Sequence, residues 1–353
     1  MVADSAKPIP ERAMGCLLGV SVGDQLGYPI EFQRGPFPPA PPAAVGPHHS
    51  DDTQMTLFVA EGLAYRATLR GQAAAMLRWY STQDPARVGS PFYFGALDDD
   101  RIVPGLSRRL LDDSRLHVDR APGSTCLMSL AALALRADGR HPAANDSAGC
   151  GVVMRSAPYG LVAGLPRHAA FDFACASGQL THGNVRGWLP GGFLAATVWG
   201  LVRGEPLPDA LRLAEHLCAE RAGDQHALLG LLNGAVALGA ATGPGGFLGS
   251  DATAADLSRQ LGGGWVGDQA LAWGIAAVAS CWCGGELPSP QRVGLALWRA
   301  AAHAGDSDST ASIAGALIGA MAGVDCLPPV WVAGVEMGLE LRGLAGALSG
   351  VAR

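Results

Sequence analysis

Apolar residues recur at three- and four-residue spacing through 55–70, 124–137, 191–203, 208–220, 226–241, 268–281, 290–302 and 311–322. That period lays one apolar stripe along each segment and predicts helices with a buried face. No alternating run is long enough to specify a sheet, so the pattern predicts an all-α fold. Gly15, Gly19 and Gly23 share one helical face, as do Gly315 and Gly319. Such stripes bring helix backbones together in membranes, but the segment at 15–23 is short and runs into Asp24, so close packing in a globular protein is expected. A proline-rich segment at 36–47 predicts an ordered loop that delivers Asp51 to its place, and glycines punctuate 243–250 and 262–264. No repeat of fixed period occurs. A tail over 1–11 and one compact domain over 12–353 are expected.

The chain has 353 residues, 49% of them hydrophobic and 16% charged, which predicts a well-packed globule rather than disorder. Its formal charge is −6 and no basic stripe carries interleaved aromatics, so nucleic acid is not an expected partner. Lys7 is the only lysine; a positive charge made of arginine fits a GC-rich, hence bacterial, coding sequence. The apolar stretch 227–242 is broken by Asn233 and falls short of the roughly 20 residues that span a bilayer. Met1 to Arg12 has no apolar signal core, and the eight cysteines, Cys281 and Cys283 included, lack zinc or redox spacing. A cytoplasmic protein without a membrane partner is expected.

Two short clusters carry the chemistry. Ser50-Asp51-Asp52-Thr53 and Gly305-Asp306-Ser307-Asp308-Ser309-Thr310 each offer two carboxylates among hydroxyls. Brought together in an apolar chain, these carboxylates repel unless a cation sits among them. Carboxylate and hydroxyl oxygens suit Mg²⁺, Mn²⁺ or Ca²⁺ better than Zn²⁺ or copper. Six such ligands exceed what one Mg²⁺ takes from protein, so a pair of ions is expected. Both clusters also suit helix N-caps, since each runs straight into an apolar helical pattern. The two roles are compatible.

Other segments offer further groups. Glu31 follows a turn marked by Gly27 and Pro29 and is free to face a cleft. Asn145 to Gly151 precedes Val152 to Pro158, and Gly149 and Gly151 let backbone N–H groups approach an anion at a helix start. This is neither the Walker pattern nor a dinucleotide fingerprint. His182 lies between Thr181 and Gly183, Trp265 sits in a glycine-flanked loop beside Asp268, and His48 and His49 close the proline-rich segment as surface-loop residues.

Gly-x-x-x-Gly-x-x-x-Gly-Asp-x-x-Gly-x-Pro-x-Glu-Phe (15–32), Ser-Asp-Asp-Thr-Gln-Met-Thr (50–56), Gly-Cys-Gly-x-Val-Met-Arg (149–155), Thr-His-Gly (181–183) and Gly-Asp-Ser-Asp-Ser-Thr (305–310) occur in this order. The set resembles the ADP-ribosylglycohydrolase family, which includes dinitrogenase reductase-activating glycohydrolase and the ADP-ribosylarginine hydrolases. The resemblance spans about residues 12–345. It implies a compact orthogonal all-α fold with two Mg²⁺ (or Mn²⁺) ions in a cleft that accepts ADP-ribose. It implies metal ligands at Ser50, Asp51, Asp52, Asp306, Asp308 and Ser309, and an active-site glutamate at Glu31. Gly149, Cys150 and Gly151 match the diphosphate loop, where many members carry Asn in place of Cys150. Asn145, Met154, His182, Trp265 and Asp268 are assigned to the substrate side.

The resemblance implies a hydrolase acting on an ADP-ribosylated protein and releasing ADP-ribose. The Gly-Asp-Ser-Asp-Ser pattern resembles the arginine-directed branch, so cleavage of the N-glycosidic bond to arginine is expected. Asp51 or Asp52 would orient water and ribose, and Glu31 would handle a proton. The alternatives are hydrolysis of O-linked ADP-ribose, on serine or as O-acetyl-ADP-ribose, and a non-catalytic ADP-ribose binder.

Overall fold

The computed structural model describes residues 7–83, 102–135, 142–222, 225–241, 245–249, 253–282 and 286–350. Among them are fifteen α-helices and no strand; Gly149 and Val266 form an isolated antiparallel bridge. Two helices make the centre: α1 (Ile9–Gly27), which starts after Pro8, and α13 (Ser307–Ala322), all of whose residues are buried. A helix apolar or small on every side has no face for water, and it forms the core of a bundle.

Glycine sets how close these two helices come. A Cβ on Gly15 would fall on the Gly319 carbonyl, one on Gly19 on that of Gly315, and one on Gly23 on that of Ala311. At the end of the same seam, a Cβ on Gly27 would meet Ser307 and Asp308. The backbones therefore touch from Gly15 to the end of α1. Its C-terminal end lies against the N-terminal end of α13, which carries the second acidic cluster.

Around this pair pack α11 (Gly267–Cys281), α12 (Pro290–Ala301) and α7 (Val185–Val202) on α13, with α15 (Gly338–Leu348) on α1 and α2 (Asp51–Tyr65). Next to α2 lies α3 (Leu69–Gln83); α4 (Ser124–Ala134) and the short α5 (Ala157–Leu161) follow. The outer layer is made of α6 (Arg167–Gly178), α8 (Leu207–Ala222), α9 (His226–Ala240), α10 (Ala254–Leu261) and α14 (Pro329–Ala333).

Several boundaries differ from the apolar pattern, each for a local reason. The run 55–70 is two helices, because Thr68 breaks it: its Oγ1 accepts from Gly71 N at 3.1 Å and caps α3. The helix expected over 191–203 begins at Val185, where Asn184 caps it by accepting from Arg186 N at 3.0 Å, and Pro190 sits inside it. Helix α1 takes in residues 9–11 of the expected tail. No helix start follows Gly151 directly; a single 3₁₀ turn, Val153–Arg155, stands there. Residues 136–137 of the expected 124–137 segment, part of the glycine-rich 243–250 stretch and Cys283 lie outside the described residues.

The 36–47 loop is pinned by Trp298 Nε1 donating to Pro38 O at 2.8 Å and Trp331 Nε1 donating to Pro42 O at 3.2 Å. His48 is exposed as expected of a loop residue, but His49 is fully buried. Among the described residues no helix is long and apolar enough to cross a membrane.

Candidate active site

The two acidic clusters meet. A cleft of about 310 Å³ is lined by Glu31, Asp51, Asp52, Asp306, Asp308 and Ser309 together with the Gly149–Gly151 loop, Met154, His182 and Trp265. Ser50 caps α2 from below, its Oγ accepting from Asp52 N at 3.1 Å, so Asp51 and Asp52 project from the first turn. Asp306 opens α13, its N–H held by Gly263 O at 2.9 Å, and Asp308 accepts from Ser309 N at 3.0 Å. Capping and clustering are thus split: Ser50 caps α2, while Asp306, at the N-cap of α13, makes no side-chain capping bond. Ser309 Oγ links the two halves by donating to Asp52 Oδ1 at 3.3 Å. Ser50 itself is fully buried and does not line the cleft; its hydroxyl is used by α2 and by Asp308.

Six carboxyls share this region, Asp24 being the sixth. Burial pushes Asp24 up to about 7 and Glu31 up to about 10, and each is pushed further by Asp308. Asp51, Asp52 and Asp306 are raised well above the ordinary carboxylate value by the same burial and the same neighbour. Among the described residues no lysine or arginine side chain lines the cleft. Ligand oxygens of Glu31, Asp306 and Asp308 lie within 4.8 Å of one another. Glu31 Oε2 and Asp52 Oδ2 are buried and have no hydrogen-bond partner. Like-charged oxygens at this density, two of them unpaired, fit a hard dication. Glu31, Asp51, Asp52, Asp306, Asp308 and Ser309 are the residues present to hold it.

Support comes from side chains that the sequence pattern did not single out. Asp24, near the end of α1, accepts from Ser50 N at 2.8 Å and Thr53 N at 3.0 Å, fixing the start of α2. Behind the same turn, Arg120 pairs with Glu336 at 2.7 Å and donates to His49 O at 2.8 Å, while Asp51 N donates to Arg120 O at 3.0 Å. The Gly-Asp pair at 23–24 was a visible signal for Asp24; Arg120 and Glu336 offered none.

The glycine loop borders the carboxylates, with Cys150 Sγ donating to Asp306 Oδ2 at 2.8 Å. Cys150 N donates to Trp265 O at 3.1 Å and Gly267 N to Ala148 O at 3.0 Å, so the Cys150 amide is not free for an anion. The His182 ring packs against Gly149 and Gly151, where any Cβ would crowd it. Burial and the nearby Arg155 hold His182 down to about 3, so it is neutral. Arg155 Nη2 donates to Thr181 Oγ1 at 2.8 Å, and Thr181 Oγ1 meets His182 Nδ1 at 2.9 Å. When Thr181 donates to Nδ1, the proton of the ring sits on Nε2, beside Gly149. Arg155 is buried and makes no ion pair with a described carboxylate, which leaves a positive field behind the loop.

Two residues assigned to the substrate side do other work. Asp268 is paired with Arg186 at 2.7 Å and lies outside the cleft lining, so it is no part of an acidic rim. Asn145 braces its own loop, accepting from Gly183 N at 3.1 Å and donating to Thr181 O at 3.0 Å, and it too is outside the lining. In their place stands Phe32, stacked on Trp265 with ring centroids 5.7 Å apart. Both rings are exposed at the cleft, Phe32 by 69% and Trp265 by 45%. Phe32 and Ala121, both lining the cleft, have φ of 65° and 59°, a strained region for residues other than glycine.

A family model described as ADP-ribosylglycohydrolase matches residues 5–353. A solved structure titled ADP-ribosylglycohydrolase-related protein complex shares 24% identity, with a TM-score of 0.65 over 97% of this chain and 98% of that one, and has the same fold. Among curated proteins, none matches the chain. With the match spanning nearly every residue, the chain belongs to the ADP-ribosylglycohydrolase family, metal-dependent hydrolases that release ADP-ribose from ADP-ribosylated substrates.

Proposed function

We propose that this protein hydrolyses the N-glycosidic bond between ADP-ribose and a protein arginine, with two Mg²⁺ ions in the acidic cleft. The observation that carries the reading is the convergence of Glu31, Asp51, Asp52, Asp306 and Asp308 on one cleft that has an aromatic pair at its mouth. The ions would supply charge neutralisation and Lewis acidity toward ribose hydroxyls and water.

The protein's own groups divide the rest of the work. A free guanidine has a conjugate acid well above pH 12 and must leave protonated. Glu31 lines the cleft beside Asp306 and Asp308, where it is placed to deliver a proton to the leaving nitrogen. Asp51 and Asp52, held at the first turn of α2, orient ribose and the attacking water. His182 Nε2 donates to a diphosphate oxygen without adding charge. The faces of Phe32 and Trp265 accept a guanidinium by stacking, an interaction that a serine acceptor cannot make.

The test is release of free ADP-ribose from an arginine-modified and a serine-modified protein, with Mg²⁺ and with chelator. Release from the arginine substrate should require Mg²⁺ and exceed that from serine. A tenfold preference for serine, about 1.4 kcal/mol in the barrier, would overturn the linkage while leaving the family intact.

A further inference from the structure

We propose that a basic groove beside the acidic cleft docks an acidic segment of the ADP-ribosylated protein, so that the preferred substrate carries aspartates or glutamates next to its modified arginine. The inference rests on the reading that the chain releases ADP-ribose from a protein arginine, and it adds what kind of sequence surrounds that arginine.

The groove has a volume of about 720 Å³, more than twice that of the cleft, and shares no lining residue with it. It opens between residues 34–39 of the proline-rich segment, the first turns of α10 and the end of α12. Arg34, Arg259 and Arg299 line it, and among the described residues no aspartate or glutamate does. Arg34 is exposed and makes no hydrogen bond or ion pair among the described residues. Arg259 pairs with Asp256, yet its side chain stays 72% exposed. Arg299 is half-buried, its Nη2 donating to Gly249 O at 2.7 Å. Phe37 and Trp298 supply an aromatic wall, and Trp298 Nε1 holds the loop by donating to Pro38 O at 2.8 Å. The groove is therefore formed before anything enters it, which lowers the ordering cost of binding.

Two strips of chain run from one site to the other. Phe32 lines the cleft and Arg34 the groove, while Ala304 lines the groove and Asp306 the cleft. Two residues span at most about 7 Å, so the two mouths are neighbours. A protein whose modified arginine enters the cleft lays the residues flanking that arginine over this rim. The bound side chain tethers those residues, and the tether raises their effective concentration at the groove. Charge then selects what they carry. The chain as a whole, at −6, repels an acidic partner, whereas three arginines attract one locally and fix its register.

The test compares three substrates: an arginine-ADP-ribosylated peptide with glutamates flanking the arginine, the same peptide with glutamines there, and free ADP-ribosyl-arginine. In the wild type, KM for the acidic peptide should be at least ~5-fold below that for the neutral one, as a few exposed ion pairs would give. Added NaCl should erase the difference. Arg34→Gln and Arg259→Gln should each shrink the gap and the double variant close it, with kcat and the hydrolysis of free ADP-ribosyl-arginine within ~2-fold of wild type. Equal KM values for the two peptides in the wild type overturn the proposal, and so does a gap that survives the double variant. Equal slowing of all three substrates by Arg34→Gln also overturns it, since Arg34 would then only hold the Glu31–Phe32 turn. Equal peptides, together with an Arg34-dependent effect of inorganic phosphate on free ADP-ribosyl-arginine, would give the groove to a small anion instead. If the wild type hydrolyses none of the three, the arginine linkage falls, and a fluorescein-labelled unmodified acidic peptide read by anisotropy tests the groove alone. Arg34-dependent binding of that peptide would keep the groove, and no binding would overturn it.

Discussion

Asp308 is the residue on which the electrostatics turn. Its charge raises the pKa of Asp24, Glu31, Asp51, Asp52 and Asp306, on top of their burial. Asp308→Asn keeps the shape but removes the charge common to all five. Activity should fall at least ~10²-fold through lost charge stabilisation and positioning. Metal-free stability should hold or rise, because the substitution relieves repulsion, and a melt in chelator reads this directly. A variant that melts earlier while its folded fraction stays active would make Asp308 a helix cap and nothing more. At this scale the sequence was legible where chemistry is local: two carboxylates within four residues identify themselves. It was illegible where a partner lies far along the chain. Asp268 looked available because Arg186 cannot be seen beside it from the sequence, and Arg120 and Glu336 look like ordinary surface charges until the fold joins them. Phe32 stood beside a named residue, but nothing in its neighbourhood announced that Trp265 would stack on it.

Between elements, the glycine stripe of α1 decides where the acids meet, since it sets the distance from α1 to the first turn of α13. Gly23→Ala would drive a Cβ into the Ala311 carbonyl, where backbone, not a flexible side chain, must yield. Overpacking of this kind costs about 2 kcal/mol or more, and the displaced ends of α1 and α13 should also weaken Mg²⁺ binding. The contrast is Gly234→Ala, in exposed α9, where nothing lies within 4 Å of an added Cβ. There the change should stabilise by up to about 1 kcal/mol, the ordinary helix preference for alanine. Urea unfolding midpoints of the two variants should move in opposite directions; a shift of the same sign in both would remove the seam's special role. This seam was readable because four-residue glycine spacing has few other uses. The helices missed by periodicity, α6 and α15 among them, mix exposed and buried positions too unevenly for a stripe to stand out. The Thr68 break was missed because a capping hydroxyl leaves the apolar period undisturbed across it.

For the whole molecule, a chain of net charge −6 concentrates six raised carboxyls at one point, and folding must work against that concentration whenever no cation is bound. The sign of the pH dependence follows. A carboxyl raised in the folded state contributes most below its unfolded value, near 3.8 for Asp and 4.5 for Glu. That contribution is lost as pH climbs through the folded values, about 7 for Asp24 and about 10 for Glu31. Three buried histidines act oppositely at lower pH. His49, His182 and His303 are held down to about 4, 3 and 4 from an ordinary 6.5, so they cost stability as pH falls below 6.5. Above pH 6.5 the unfolded-state histidines lose most of their protons, so their effect fades and that of the acids dominates. In chelator, the melting temperature should therefore fall steadily from about pH 6.5 to pH 9 as the carboxyls lose their protons. With saturating Mg²⁺ the ionised carboxylates become ligands, and the stabilisation by bound ion grows with the affinity gained at each pH. The two melting curves should diverge as pH rises, the Mg²⁺ curve staying level or climbing. Parallel curves across that window would mean that the six carboxyls balance their charge without a cation, and the metal reading of the cleft would fall with them.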